Sequence, residues 1–269
     1  MTPACREADE VPGLRFSANL GFLWPDLPLL ERIDAAGMAG FRAVELHWPY
    51  EVPAEALRDR CDAHGIAILG LNTPIDPDRG EFGLGAVPGR EAGFRDGFRR
   101  AAAYARASGA ASVHVMAGRV AAEDAKAAAA TFADNLTWAA AETPDLTLLL
   151  EPMNRIDQPG YFYSRPDEAA AMIDRVRAGT LGIMFDAYHV GMGGEPVLDA
   201  LERHLPKIAH IQIAAVPSRA EPDDGRLAYG AFFAALDRLG YGGWIGCEYR
   251  PRGDTGEGLR WMAALGVSL

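Results

Sequence analysis

The chain has 269 residues, 49% hydrophobic and 23% charged, which is enough for one α/β barrel or two small domains with a core that needs no covalent staples. The 26 basic and 37 acidic residues leave a formal net charge of −11, which argues against duplex nucleic acid, whose phosphates need a basic face. Cys5, Cys61 and Cys247 fit neither a zinc pattern nor a disulfide framework, and there is neither a signal-peptide core near the N-terminus nor an apolar run of the roughly 18 residues a membrane span needs, so a cytoplasmic protein with free thiols is expected.

Residues 1–12 are polar and acidic and read as a loosely ordered tail, with one domain over 13–269. From there a single rhythm repeats. Short β-rich runs cover residues 14–19, 43–47, 67–72, 112–117, 146–151, 181–186, 208–213 and 244–248. Most are nearly continuous apolar runs, as parallel strands buried on both faces require. Helical spacing or composition fills the intervals at 27–36, 54–63, 90–108, 121–141, 166–176, 196–204 and 229–239, with a last helix near 256–264. Glycines mark the stops at Ala36-Gly37, His64-Gly65, Ser108-Gly109 and Leu239-Gly240. Alternating strands and helices imply parallel βαβ units, and eight of them predict a single (β/α)8 barrel. The open doubly wound sheet is the alternative, but it usually has a glycine-rich phosphate turn after its first strand. Here that strand ends Ser17-Ala18-Asn19-Leu20-Gly21-Phe22. The stretch 73–89, rich in Gly, Pro and Asp, reads as an active-site loop or lid. The apolar Phe22-Leu23-Trp24 reads equally as a pocket wall or as the contact of a homo-oligomer.

In such a barrel, chemistry sits where strands end. Those positions hold Asn19, Glu45 with His47, Asn72, His114, Glu151, Asp186 with His189, Gln212 and Glu248. One polar residue at a strand end is ordinarily a cap or a solvated loop residue. Four successive strands ending Glu, Asp, Gln and Glu are another matter, because carboxylates converging on a barrel mouth repel one another and resist desolvation. A divalent cation removes the conflict, and three carboxylates with one amide oxygen form a hard donor set suited to Mg2+ or Mn2+. His64 and His204 fall near helix ends and are assigned no chemistry. His210 should face the same side as Gln212, two residues on, as a buried hydrogen-bonded group or a support for the site. Aromatic residues such as Trp48, Phe82, Tyr188 and Tyr249 are pocket walls or core.

These motifs carry a resemblance. Phe16-Ser17-Ala18-Asn19-Leu20, Ala43-Val44-Glu45 with Pro49-Tyr50, His114-Val115-Met116-Ala117-Gly118, and Glu151-Pro152-Met153-Asn154 appear in order. Phe185-Asp186-Ala187-Tyr188-His189, His210-Ile211-Gln212-Ile213, Val216-Pro217-Ser218-Arg219, Glu221-Pro222 and Gly246-Cys247-Glu248-Tyr249-Arg250-Pro251 follow. Together they resemble the hydroxypyruvate isomerase family, within the xylose-isomerase-like barrels. The resemblance implies a divalent metal on Glu151, Asp186, Gln212 and Glu248, with the two glutamates as the acid/base pair. Substrate contacts are expected from His47, Asn72, His114, His189, Arg219 and Glu221. The chain departs from the family pattern at Asn72-Thr73-Pro74, at Leu46-His47-Trp48 and at Gly225-Arg226, all loop positions near the substrate.

The expected activity is proton transfer through an enediolate on a small hydroxy-carbonyl acid, either hydroxypyruvate/tartronate semialdehyde or a 2-oxo-tetronate. Arg219 is the candidate clamp for the substrate carboxylate. A ketose 3-epimerase would use the same metal and carboxylates with a different pocket. A metal-dependent phosphodiesterase would need more histidines and a basic groove, and a non-catalytic metabolite-binding barrel would need a broken ligand set.

Overall fold

The computed structural model describes residues 13–269; the expected N-terminal tail at 1–12, with Cys5, lies outside the described residues. Eight parallel strands close into a barrel in sequence order. They are β1 Arg15–Asn19, β2 Ala43–Glu45, β3 Ala67–Asn72, β4 Ser112–His114, β5 Thr147–Leu150, β6 Leu181–Asp186, β7 Ile208–Ile213 and β8 Trp244–Cys247. β8 returns to β1 through Arg15↔Trp244 to Ala18↔Cys247, so no sheet edge remains. The helices are α1 Leu29–Ala39, α2 Ala54–His64, α3 Glu91–Ser108, α4 Ala125–Glu142, α5 Pro166–Val176, α6 Ala187–Met192, α7 Val197–His204, α8 Tyr229–Arg238, α9 Thr255–Gly258 and α10 Trp261–Ala264.

The core lies between the strands and this helical ring, where residues such as Phe16, Val113, Phe132, Leu148, Ile211 and Trp261 are almost wholly buried. Cys61 and Cys247 are free and buried in it. Among the described residues no helix is long and apolar enough to cross a membrane.

Several boundaries differ from expectation for identifiable reasons. β2, β5 and β8 stop short, so His47, Glu151 and Glu248 occupy the first loop positions rather than the strands themselves. α1 runs through Gly37 and ends at Gly40, whose φ of 106° suits the left-handed cap. Gly37 is retained because His64 lies where its side chain would be. The expected last helix is broken into α9 and α10. α6 was not expected: it is a short helix begun by Asp186, whose carboxylate accepts the Tyr188 N–H at 2.8 Å.

The segment after β3 is docked along much of its length. Gly85 and Ala86 donate backbone hydrogen bonds to Met116 and Ala117, and Asn135 reaches the Gly85 carbonyl from α4 at 2.9 Å. Neither Gly83 nor Gly118 has room for a Cβ, which would run into Met116 from Gly83 and into the Gly83 carbonyl from Gly118. Its exposed part is the tip around Pro77–Arg79.

The Phe22-Leu23-Trp24 segment is not an exposed apolar patch. Leu23 is fully buried, Trp24 packs edge-on against Phe41, and Phe22 packs edge-on against His47.

Candidate active site

A cavity of about 200 Å³ follows the barrel axis, reaching from Thr147 and Gly243 near the strand starts to Asn19, His47, Glu151 and Glu248 at their ends. This is the face on which the βα loops gather. Leu148-Leu149-Leu150 commits β5 to the core and delivers Glu151 to the cavity, as Ile245-Gly246-Cys247 delivers Glu248. β6 and β7 run in register so that Asp186 lies beside Gln212. All four polar side chains are buried, with exposures of 4% for Glu151, 2% for Asp186, 3% for Gln212 and 5% for Glu248.

The two glutamates have different surroundings. Glu248 Oε1 accepts from Asn19 Nδ2 at 3.3 Å and faces His47 Nε2 at 3.0 Å, while Oε2 accepts from Arg219 Nη2 at 3.1 Å. Asn19 is oriented for this because its Oδ1 is engaged by the Gly21 N–H at 2.9 Å. Burial alone would raise the Glu248 pKa, but Arg219 and His47 outweigh it and hold the carboxyl below its ordinary value. Glu151 faces two histidines, with His114 Nδ1 at 3.4 Å and His189 Nε2 at 3.5 Å. Desolvation, then the charges of Glu248 and Asp186, raise it well above the carboxylate range. Asp186 is raised in the same way, first by burial and then by Glu248. One buried glutamate is thus held ionised and the other is biased to carry a proton.

Both histidines are kept neutral by burial, which lowers each to about 3. The backbone N–H of Asn154 donates to His189 Nδ1 at 3.2 Å, and the Asn154 amide lies 2.6 Å from the same nitrogen. A nitrogen that accepts a backbone N–H has no proton of its own, so the ring proton sits on Nε2. That nitrogen lies 3.5 Å from Glu151 Oε1 and 3.6 Å from Asp186 Oδ2, too far for a hydrogen bond to either. In this tautomer His189 has no lone pair to offer a cation there.

Among the described residues, one group of potential ligand atoms lies within 4.8 Å of one another, from Glu151, Asp186 and His189. The His189 tautomer leaves the carboxylates and the amide as the set that could hold a metal. Asp186 Oδ2 and Gln212 Oε1 are buried acceptors with no hydrogen-bond partner. Orphaned acceptors are costly in a folded core unless something else fills them. Oxygen atoms of this kind fit a hard divalent cation.

Arg219 reaches the cluster from the loop after β7. Its backbone φ of 55° is left-handed, a strained conformation for an arginine. It is held there by Arg219 N–H to Ala215 O at 2.8 Å and Arg250 N–H to Arg219 O at 2.7 Å. The guanidinium lies over Phe22 at 4.9 Å and over Tyr188 at 4.8 Å. His47, Asn72 and His114 line the cavity, with Asn72 Oδ1 3.2 Å from His114 Nδ1.

Glu221 is not brought to the cavity. It is buried against β8's following loop, accepting the Arg252 backbone N–H at 3.1 Å and Arg252 Nε at 2.8 Å. His64 and His204 are also engaged elsewhere, with Asp34 at 2.9 Å and Asp167 at 2.8 Å.

Sequence reasoning missed Asn154, which fixes the His189 tautomer, and Asp157, which accepts from Asn154 at 3.1 Å and from Tyr188 at 2.7 Å. The available signal was an Asx turn: Asn154 Oδ1 accepts the N–H groups of Ile156 and Asp157.

A family model described as xylose isomerase-like TIM barrel matches residues 33–265. The 2-oxo-tetronate isomerase of Cupriavidus necator is 46% identical over 252 residues, which cover 92% of this chain and 97% of that protein. The hydroxypyruvate isomerase of Escherichia coli is 37% identical over 253 residues, 93% of this chain and 98% of that protein. A crystal structure described as an AP endonuclease of family 2 from Brucella melitensis aligns with a TM-score of 0.90 at 37% identity, covering 93% of this chain and 98% of that one.

Proposed function

The chain belongs to the xylose isomerase-like TIM barrel family, in the group that holds hydroxypyruvate and 2-oxo-tetronate isomerases, and we propose from this that it is a divalent-metal-dependent isomerase of a small hydroxy-carbonyl acid. The observation that carries the reading is the pair of buried glutamates, Glu248 held by Asn19, His47 and Arg219, and Glu151 facing two neutral histidines, at one end of the barrel cavity.

Converting an α-hydroxy aldehyde to the neighbouring ketone moves one proton between adjacent carbons and one between their oxygens. Glu248, already ionised, is suited to take the proton from the hydroxyl-bearing carbon. Glu151 is suited to deliver a proton to the adjacent carbon while the hydroxyl proton passes to the neighbouring former carbonyl oxygen, after which exchange with solvent leaves Glu248 ionised and Glu151 protonated again. The His189 Nε2–H can steady the substrate oxygen that gains negative charge between the two transfers. Glu151, Asp186, Gln212 and Glu248 would hold the cation, Mg2+ or Mn2+ by donor type, and as a Lewis acid it would stabilise the enediolate oxygens. Arg219 would receive the substrate carboxylate, its planar fork backed by Phe22 and Tyr188.

The names of the Cupriavidus and Escherichia relatives support a three- or four-carbon 2-oxo acid as substrate. The endonuclease description of the Brucella structure suggests a second reading. Against it, Glu151 and Asp186 are each almost wholly buried rather than set in an open groove, and the chain's net charge is −11.

Incubation with hydroxypyruvate, tartronate semialdehyde and 2-oxo-tetronates in D2O with Mg2+ or Mn2+ should show C–H exchange and isomerisation of one of them. Glu151→Gln and Glu248→Gln should each lower turnover about 10²–10⁴-fold while the fold is retained. Near wild-type rates in both variants would refute the assignment of the proton transfers.

A further inference from the structure

The middle of the barrel contains a polar cluster that the reaction described above does not use. Glu45 projects from β2 into the barrel and is 5% exposed. Its Oε1 accepts from Ser17 Oγ at 2.6 Å, and its Oε2 accepts from Gln212 Nε2 at 2.8 Å, with His210 Nε2 at 3.0 Å. Room for this carboxylate is made by Gly246 on β8, where any Cβ would run into it. A buried cluster of polar side chains is an expensive way to fill a barrel core, and apolar side chains would fill the same space at lower cost. The cluster therefore calls for a reason other than packing.

We infer that Glu45 is a positioning residue that orients the side-chain amide of Gln212, so that its oxygen rather than its nitrogen faces the metal seat. The inference rests on the metal reading above. An amide has two nearly isosteric ends, and only the oxygen can bind a cation. Glu45 Oε2 accepts from the NH2 end, at 2.8 Å, and so fixes which end faces it. With the nitrogen taken by Glu45, Gln212 Oε1 is left buried and without a partner, one strand over from the likewise orphaned Asp186 Oδ2. Partners that orient a metal ligand typically change metal affinity 10–100-fold when removed.

Glu45→Gln is close to isosteric and replaces the group that accepts from Gln212 with an amide that can turn either end toward it. It should bind Mn2+ about 10–100-fold more weakly, as read by isothermal titration calorimetry and by the electron paramagnetic resonance signal of free Mn2+. The double variant Glu45→Gln/Gln212→Glu should recover most of that affinity, because residue 212 then presents oxygen at both ends and residue 45 can donate to it. A role confined to packing would change the melting temperature without this loss and recovery of affinity.

The wild-type chain offers an independent measurement. Gln158 and Gln212 are its two glutamines. Gln158 sits at the surface, where its Oε1 accepts from Arg119. In 15N-glutamine-labelled protein, the Gln212 side-chain NH2 should exchange with solvent far more slowly than that of Gln158, and should shift on addition of Mg2+. If wild type binds Mn2+ and Glu45→Gln binds it equally well, or if the two glutamine amides exchange alike, the inference is overturned while the metal reading stands. If wild type binds no divalent cation, both fail.

Discussion

Raising the pH from 6.5 to 8 in the presence of EDTA should destabilise this protein, and Mg2+ or Mn2+ should lessen the decline. Burial, and then the charge of Glu248, raises the Asp186 carboxyl from 3.8 to about 8, and Glu151 is raised above its ordinary 4.5 by burial, Glu248 and Asp186. Between the ordinary and the raised values the folded chain holds protons that the unfolded chain has released. Their contribution to stability is complete below about pH 4 and is lost as pH rises through the folded values. His114 and His189 act in the opposite sense. Burial lowers both from 6.5 to about 3, so folding favours their neutral forms, and stability from them grows as pH rises from about 3 to 6.5 and is constant above. The two effects offset one another below pH 6.5, and above it the carboxyls act alone. Each retained proton costs about 1.4 kcal/mol per pH unit, which gives a loss of ~2 kcal/mol between pH 6.5 and 8 for a single proton. For a chain of this size that is a fall of ~4–8 °C in melting temperature. A cation would displace the Asp186 proton and satisfy that carboxylate, so the slope should flatten when it is added. Differential scanning calorimetry at several pH values, with EDTA or with Mg2+, gives the comparison. A melting temperature that is flat or rising over this window in EDTA would refute the electrostatic reading, as would parallel slopes with and without the cation.

Arg219→Met should raise KM for a carboxylate-bearing substrate and lower kcat/KM by ~10–200-fold, the equivalent of a hydrogen bond to a charged group worth about 1.5–3 kcal/mol. Arg219→Lys should recover only part of the loss, since an ammonium lacks the planar fork; steady-state kinetics on the acid substrate separates the two outcomes. Gly246→Ala should cost about 1–3 kcal/mol in urea denaturation, because its methyl group competes with Glu45 for the same space. Glu221→Gln should lower stability by about 1–3 kcal/mol and leave KM within twofold, because its partner is Arg252 rather than a cavity group. A KM change larger than its stability change would place Glu221 back in substrate recognition.

The barrel was legible because its strands are buried on both faces, which leaves uninterrupted apolar runs such as Leu148-Leu149-Leu150 and Ile183-Met184-Phe185. The boundaries were less so. Gly37 looked like a stop by composition, but it sits inside α1 to admit His64 from α2, a contact made by residues 27 positions apart. α6 escaped notice because Asp186 serves two purposes, with one oxygen capping the helix and the other left free toward the cluster. The segment after β3 has the composition of a mobile lid, yet most of it is pinned by backbone contacts to residues 116–117 that no local pattern announces.

The candidate site illustrates the same division more sharply. The period of a strand and the position of its last residue are local properties, so the polar residues at the strand ends could be named from the sequence. Their roles could not. Four glutamates of this chain, Glu45, Glu151, Glu221 and Glu248, are all buried. Glu45 faces a serine, an amide and an imidazole, Glu151 faces two histidines, Glu221 is tied to an arginine of the next loop, and Glu248 is gripped by three donors. The partners come from as many as 229 positions away. Whether a carboxylate is an acid, a base, a brace or an orienting acceptor depends on the donors that fold around it. A sequence read one element at a time locates the group but contains no signal for that difference.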